Sequence, residues 1–237
     1  MSAGHSHSLG RRGLRTDITL QTSSAKRPHT KLLLIDTAER LFGQLGINAV
    51  SLREIGVVAG QTNSGVVQYH FEDKRGLLTA IINDRFHRLE ADWRRRLATL
   101  APDYNDPRKL LQILWEPMTS IQAADGSHPF CRFLLQYVLQ PQGPEHPRVD
   151  LVAYRRSRKA PADFPCLAKV RRSLRRCYPQ LPPLLYGARL STVSMMFLCA
   201  VVEHDNAQLL QKEGKLPSFH IDFVLDLAIG AMNSPAK

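Results

Sequence analysis

The sequence predicts an all-α protein, on three observations. From Lys31 onward, apolar residues recur at steps of three and four, which places them along one face of a helix. No segment of any length alternates apolar and polar residues as a half-buried strand does. Proline- and glycine-rich stretches fall between the periodic runs, where they punctuate helices. With 237 residues, 43% apolar and 22% charged, the chain suffices for one large domain or two small ones, and wholesale disorder is excluded.

Residues 1–30 are rich in Gly, Ser, Thr, His and Arg without apolar period, and read as a disordered basic arm. His5 and His7 are bystanders in it rather than metal ligands. The first helix carries the stripe Leu34, Ile35, Ala38, Leu41, Phe42 and Leu45 and stops at Gly46, which takes a left-handed cap easily. Ser51-Leu52-Arg53-Glu54 is a capping box that opens a second helix, ended by Gly60. Gln61 and Thr62 form a turn. Asn63 or Ser64 then caps a third short helix to about Phe71, with Val66 and Val67 inward and Gly65 and Gln68 outward.

Asp73 caps a long fourth helix over 74–100, with the stripe Leu78, Ile82, Phe86, Leu89, Trp93, Leu97 and Leu100. At 1.5 Å per residue it is roughly 40 Å long, too long for a three-helix head alone, so it joins the head to a second body. Beyond Pro102 and Pro107, helical pieces are expected over 108–124, 129–140, 150–158 and 165–178. A long helix over 184–211 and a last one over 218–232 follow. The domains expected are thus an arm (1–30), a head (31–78) and a helical body (79–237).

The net charge of +11 favours a polyanionic partner, nucleic acid first. The charge is unevenly placed: 31–100 is only +2, whereas 101–182 is +6. Charge alone would misplace the site. Four widely spaced cysteines without a C-x-x-C pair read as reduced thiols, with neither a disulfide framework nor a zinc site. The apolar run near 193–202 is too short to span a bilayer, and no secretory signal is visible. The expectation is a cytoplasmic chain with no membrane partner. No G-x-S-x-G, H-E-x-x-H, phosphate loop or paired carboxylates occur, so neither an enzyme nor a cofactor is expected.

Three short helices, the second and third joined by a tight turn, make a helix-turn-helix. Such a pair presents its last helix as a rod that fits the major groove of double-stranded DNA, about 12 Å wide. The rod's first turn must be small and polar to approach base edges. Thr62, Asn63, Ser64 and Gly65 meet that demand, and Gln68 carries an amide able to bond adenine twice. Thr62, Asn63, Ser64 and Gln68 are the candidate base readers.

Segment 33–78 resembles the N-terminal domain of the tetracycline-repressor (TetR) family of bacterial regulators. The resemblance lies in Ala38, Leu41-Phe42, Gly46, Ser51-Leu52-Arg53-Glu54-Ile55, Ala59-Gly60 and above all Tyr69-His70-Phe71 followed by Lys74 and Leu77-Leu78. Gly56 stands where the family usually has alanine, and the turn at Gln61-Thr62 is one residue longer than the commonest version. The resemblance implies that Ser51, Tyr69, His70 and Lys74 contact the DNA backbone and that Phe71 is core. It also implies a helical C-terminal domain that dimerises and holds a small effector.

The apolar breadth of the last two helices fits a homodimeric four-helix bundle, with a monomer that buries both as the alternative. Twofold symmetry then calls for an inverted-repeat operator with half-sites about 34 Å apart or slightly more. Trp115, Met118, Phe133, Tyr137, Tyr154 and Met196 either line an effector pocket or are ordinary core. The basic clusters 155–159 and 171–176 fit either an anionic effector or a solvated helix face. Cys177 beside Arg176 is either an oxidant-sensitive thiol or a plain small side chain. The expected function is a dimeric repressor released from its operator by a small hydrophobic or anionic effector. The alternative is an activator or architectural DNA-binding protein without small-molecule input.

Overall fold

The computed structural model describes residues 23–63, 65–102, 104–140, 164–210 and 220–235. Among the described residues, nine α-helices and one 3-10 turn follow one another and no strand occurs. The helices are α1 (Ser23–Leu45), α2 (Leu52–Val58), α3 (Val66–Phe71), α4 (Lys74–Leu100), α5 (Pro107–Trp115), α6 (Pro129–Val138), α7 (Pro165–Arg176), α8 (Pro183–Leu210) and α9 (Asp222–Asn233).

Several boundaries differ from those expected. α1 begins at Ser23 rather than near Lys31. Apolar periodicity marks only the part of a helix that meets a core, so polar turns leave no such trace. The rest of the expected arm, 1–22, lies outside the described residues, as does the helix expected over 150–158. The piece expected over 108–124 is α5 followed by a 3-10 turn, Glu116–Ser120. Pro117 accounts for the change, because it lacks the N–H an α-helix would use and its ring clashes with the preceding turn. The helices α5, α6 and α7 each open on a proline, where the missing donor costs nothing.

α1, α2, α3 and the start of α4 enclose one apolar centre: Leu34, Ala38, Phe42, Ile47, Val50, Ile55, Val67, Phe71 and Leu77. Burial of each such side chain is worth roughly 1.5–3 kcal/mol. α4 then continues through the body against α5 and α7, while α8 packs on α6 and α9. α1 also touches the body directly. Phe42 and Phe133 of α6 lie 6.3 Å apart, and a Cβ at Gly43 would sit 3.2 Å from the Phe133 backbone nitrogen.

The link between α1 and α4 is ionic and was not foreseen. The Arg85 guanidinium, 4% exposed, donates to Glu39 Oε2 at 2.7 Å, Asp36 Oδ1 at 2.6 Å and Asp84 Oδ2 at 2.8 Å. Glu39 is itself buried. A second buried pair joins α6 to α8. Asp205 accepts the His128 backbone N–H at 2.8 Å and lies 2.7 Å from the ring Nδ1. Gln122 Nε2 lies 3.2 Å from His128 Nε2, so the pattern is satisfied with the ring proton on Nδ1.

By length and composition, Pro183–Leu209 is apolar enough to cross a membrane. The expectation that the run near 193–202 was too short rested on that run alone. In the fold, Leu190, Val193, Phe197, Leu198 and Val201 of α8 are buried against protein. The four cysteines are free thiols.

Removing one partner of a buried pair leaves an uncompensated charge. Arg85→Leu is therefore expected to lose about 3–5 kcal/mol of folding stability. The double variant Arg85→Leu/Glu39→Leu should recover part of that loss. Urea unfolding of both tests the clamp, and equal losses would count against it.

Candidate nucleic-acid interface

The turn between α2 and α3 follows from a few residues. Ser51 accepts the Glu54 N–H at 3.1 Å, and the Glu54 carboxylate reaches back to the Ser51 N–H at 3.5 Å. The expected capping box is formed. α2 ends on Gly60 at φ +69°. The N–H of Gln61 bonds the Gly56 carbonyl and that of Gly60 the Val57 carbonyl, both at 2.9 Å, the paired bonds of a left-handed glycine stop. Gly56 is buried at the α2–α3 crossing, and a Cβ there would lie 3.7 Å from Val66 and Val67.

α3 begins later than expected. Gly65 occupies its N-cap, because the Asn63 side-chain oxygen instead accepts the Gly65 N–H at 2.9 Å, as Asx turns do. Ser64 lies outside the described residues. Thr62, Asn63, Gln68 and Tyr69 are all exposed, Tyr69 by 71%. Val67 and Phe71 are buried on the opposite face. Tyr69 sets its ring edge-on against His70, centroids 5.2 Å apart. Ser51 is exposed as well, and its hydroxyl oxygen is occupied by the cap while its O–H remains a donor.

The junction from α3 to α4 is the tightest point of the head. Glu72 has φ 67° and ψ −60°, and the Asp73 N–H bonds the Phe71 carbonyl at 2.8 Å. This is a γ-turn of the rare positive-φ kind. Asp73 caps α4 by accepting the Gly76 N–H at 2.6 Å. A Cβ on Gly76 would fall 2.0 Å from the Phe71 carbonyl oxygen, so glycine is required. Lys74 is half-buried, and its Nζ donates to the Ile47 carbonyl at 3.0 Å. Burial holds that ammonium below its ordinary pKa. Lys31 of α1 stands over the Phe71 ring at 5.7 Å. Sequence reasoning missed the Lys74 bond and the γ-turn, since neither has a local pattern.

The residues expected at an effector site lie in the body. Trp115, Met118, Phe133 and Tyr137 are buried and Met196 is half-buried, while Tyr154 lies outside the described residues. Trp115 stacks on Phe197 at 5.2 Å and 7°, and Phe133 and Tyr137 are 5.9 Å apart. The Cys177 Sγ lies 3.5 Å from the Asn105 carbonyl and 3.4 Å from that of Ser173, either of which can accept its one S–H, and Arg176 reaches the Ser173 hydroxyl.

Gly76→Ala forces a backbone clash and is expected to cost about 1–3 kcal/mol, as overpacking does. Gly56→Ala meets only ordinary contacts and should stabilise by about 0.5–1 kcal/mol. Thermal unfolding of both variants tests the geometry, and the opposite order would refute it.

Comparison with known proteins bears on the same segment. Residues 34–81 match the family described as bacterial regulatory proteins, tetR family. A 63-residue stretch is 40% identical to the HTH-type transcriptional regulator AcrR of Shigella flexneri, covering 27% of each chain. The match thus spans about a quarter of that curated relative's length. The solved structure of a tetR family transcription regulator from Shewanella sp. PV-4 superposes with a TM-score of 0.53 over 86% of this chain and 95% of that one, at 14% identity. That second likeness is one of fold. By its N-terminal segment 34–81, the chain is similar to the tetR family of bacterial regulatory proteins.

Proposed function

We propose that the chain is a dimeric, sequence-specific DNA-binding regulator, a repressor released from an inverted-repeat operator by a small-molecule effector. The observation that carries the DNA reading is the outward face of α3. Thr62, Asn63, Gln68 and Tyr69 are exposed together beside the capped start of α4. In this reading Thr62, Asn63, Ser64 and Gln68 face base edges. Ser51, Tyr69, His70 and Lys74 face phosphates, with Lys74 keeping two ammonium donors beyond its bond to Ile47. The head is 31–78 and the body 79–237.

The last two helices support the dimer. α8 and α9 run antiparallel, because Arg189 of α8 donates to the carbonyls of Met232 and Pro235 past the end of α9. Their outer faces leave Leu184, Phe223 and Leu227 exposed by 88%, 70% and 45%. A second copy covering this face would remove that apolar surface from water and set two α3 rods in successive major grooves. An effector would act by binding better to a conformer in which the rods no longer fit.

Three outcomes are expected. Lys74→Ala should lower the salt dependence of binding by about one unit on every sequence, and an unchanged slope would remove Lys74 from the phosphate contacts. Gln68→Ala should relax preference at one base pair per half-site in selection from random DNA; an identical selected motif would show that Gln68 reads no base. Phe223→Glu/Leu227→Glu should turn a dimer into a folded monomer in sedimentation and weaken operator binding, and a variant that still sediments as a dimer would refute the α8–α9 interface.

A further inference from the structure

Two phenols at the junction of α7 and α8 stand out among the buried polar groups of the described residues. Tyr178 is 1% exposed and Tyr186 8%, and the hydroxyl oxygen of each is buried with no hydrogen-bond partner. Their ring centroids lie 6.3 Å apart. A buried phenol ordinarily finds a partner. Two neighbouring hydroxyls left unpaired are costly, and each O–H is a donor that calls for an acceptor.

The charge around them is positive. Arg171 and Arg175 sit one turn apart on α7 and are both half-buried, whereas Arg172 and Arg176 are exposed. The Arg175 guanidinium stands 4.9 Å over the Tyr186 ring. It also donates to the Tyr178 and Leu181 carbonyls, and so holds both tyrosines and the turn between the helices. Burial pushes the pKa of the Tyr186 hydroxyl up to about 12, and the charges that oppose burial are Arg171 first and Arg175 second. The missing partner must therefore accept from two O–H donors in a cationic field. A carboxylate presents one oxygen to each hydroxyl and a single negative charge. A phosphate would bring further oxygens and a second charge to the same depth, with a larger desolvation cost.

We propose that Tyr178, Tyr186 and Arg171 form a carboxylate-binding site at the α7–α8 junction and that the effector is an organic acid. This deepens the effector-release reading and rests on it. The two hydroxyls donate to the carboxylate oxygens, and Arg171 supplies the balancing charge. Both hydroxyl oxygens are covered in the present conformer, so the acid enters only as the junction opens. It binds the opened conformer better by the hydrogen bonds it makes there, which is the differential affinity that release requires. The basic cluster 171–176 is then divided: Arg171 serves the ligand, Arg175 the turn, and Arg172 and Arg176 lie exposed.

The test compares benzoate with its neutral analogue benzamide by calorimetric titration of the full chain. The unaltered chain should bind benzoate at least tenfold more tightly. Tyr178→Phe/Tyr186→Phe keeps both rings and removes both hydroxyls. It should weaken benzoate binding at least tenfold, with benzamide binding changed less than twofold. Without ligand, the double variant should unfold at the same or a higher temperature, because the hydroxyls it lacks have no partner there. Equal binding of benzoate and benzamide by the unaltered chain overturns the proposal. So does undiminished benzoate binding by the variant. A lower unfolding temperature of the unliganded variant also overturns it, since the hydroxyls would then already be paired through water. Displacement of benzoate by an equal concentration of inorganic phosphate overturns the carboxylate class. A parallel operator-binding assay separates the two readings. Benzoate bound through the tyrosines with operator affinity unchanged supports the site and overturns its part in release. Release of DNA by a neutral compound, from the unaltered chain and the double variant alike, overturns the organic-acid effector and supports release.

Discussion

The grip of three carboxylates on the Arg85 guanidinium is the constraint on which the described architecture depends. α1 supplies Asp36 and Glu39, α4 supplies Asp84 and Arg85 itself, and the planar fork engages all three acids. Burial opposes the charged guanidinium, but the hydrogen bonds and charges of Glu39 and Asp36 outweigh it and raise the Arg85 pKa. The cluster is an ionic weld between α1 and α4, in which burial pushes the Glu39 carboxyl above its usual range against the opposing pull of Arg85. Because α1 also lies against α6 through Phe42 and Gly43, its direction is set from two sides. α2 and α3, which follow α1 in a few residues, inherit that direction.

The weld makes a strained exit from α3 tolerable. A non-glycine residue in the conformation of Glu72 costs of order 1–3 kcal/mol, and it persists where its neighbours leave no alternative. Phe71 is buried on one side of the turn and Leu77 on the other. Burial of each gives back a similar amount. The Lys74 bond to the Ile47 carbonyl holds the start of α4 against the α1–α2 connection from a third direction. The reversal between α3 and α4 is thus narrow, and Gln68 and Tyr69 stay outward because the core residues around them cannot be placed otherwise.

How much of this could be read from residues alone divides along a physical line. Helix existence, the Ser51 capping box, the Gly60 stop and the inward face of α3 all depend on neighbours within four positions, and all were legible. The start of α1 was not, since polar turns carry no apolar period. The split after Trp115 was available in Pro117 and was passed over in favour of the longer run. The Arg85 cluster joins positions 36, 39, 84 and 85. Glu90 joins α4 to α7 through the Cys166 backbone N–H. Pairings of that separation leave no local signature, although two acids three apart inside the α1 apolar stripe were a trace of the first. Of the aromatic residues read as either pocket lining or ordinary core, Trp115, Phe133 and Tyr137 are buried, as large apolar side chains usually are.

The charge distribution now has a structural meaning. A chain of net +11 whose head carries little of the excess looks ill-suited to a polyanion until the body's described arginines are followed to their partners. Arg108 bridges Asp222 and Asp226 on α9. Arg175 closes the turn after α7 and lies 4.9 Å over the Tyr186 ring. Arg189 holds the end of α9. These cations stitch helices together through carbonyls and carboxylates, which a guanidinium does better than an ammonium because its donors diverge. These three arginines of the described body are therefore architectural. In the proposed reading, attraction to DNA in the head would rest on few cations, and selectivity on the short polar face of α3, where each good base contact discriminates by roughly 1–3 kcal/mol. A head built this way would gain more from duplication than from added charge, because two modest sites linked in one particle bind as one strong site. In the proposed dimer, the exposed apolar face of α8 and α9 would for that reason matter as much to DNA binding as α3 does.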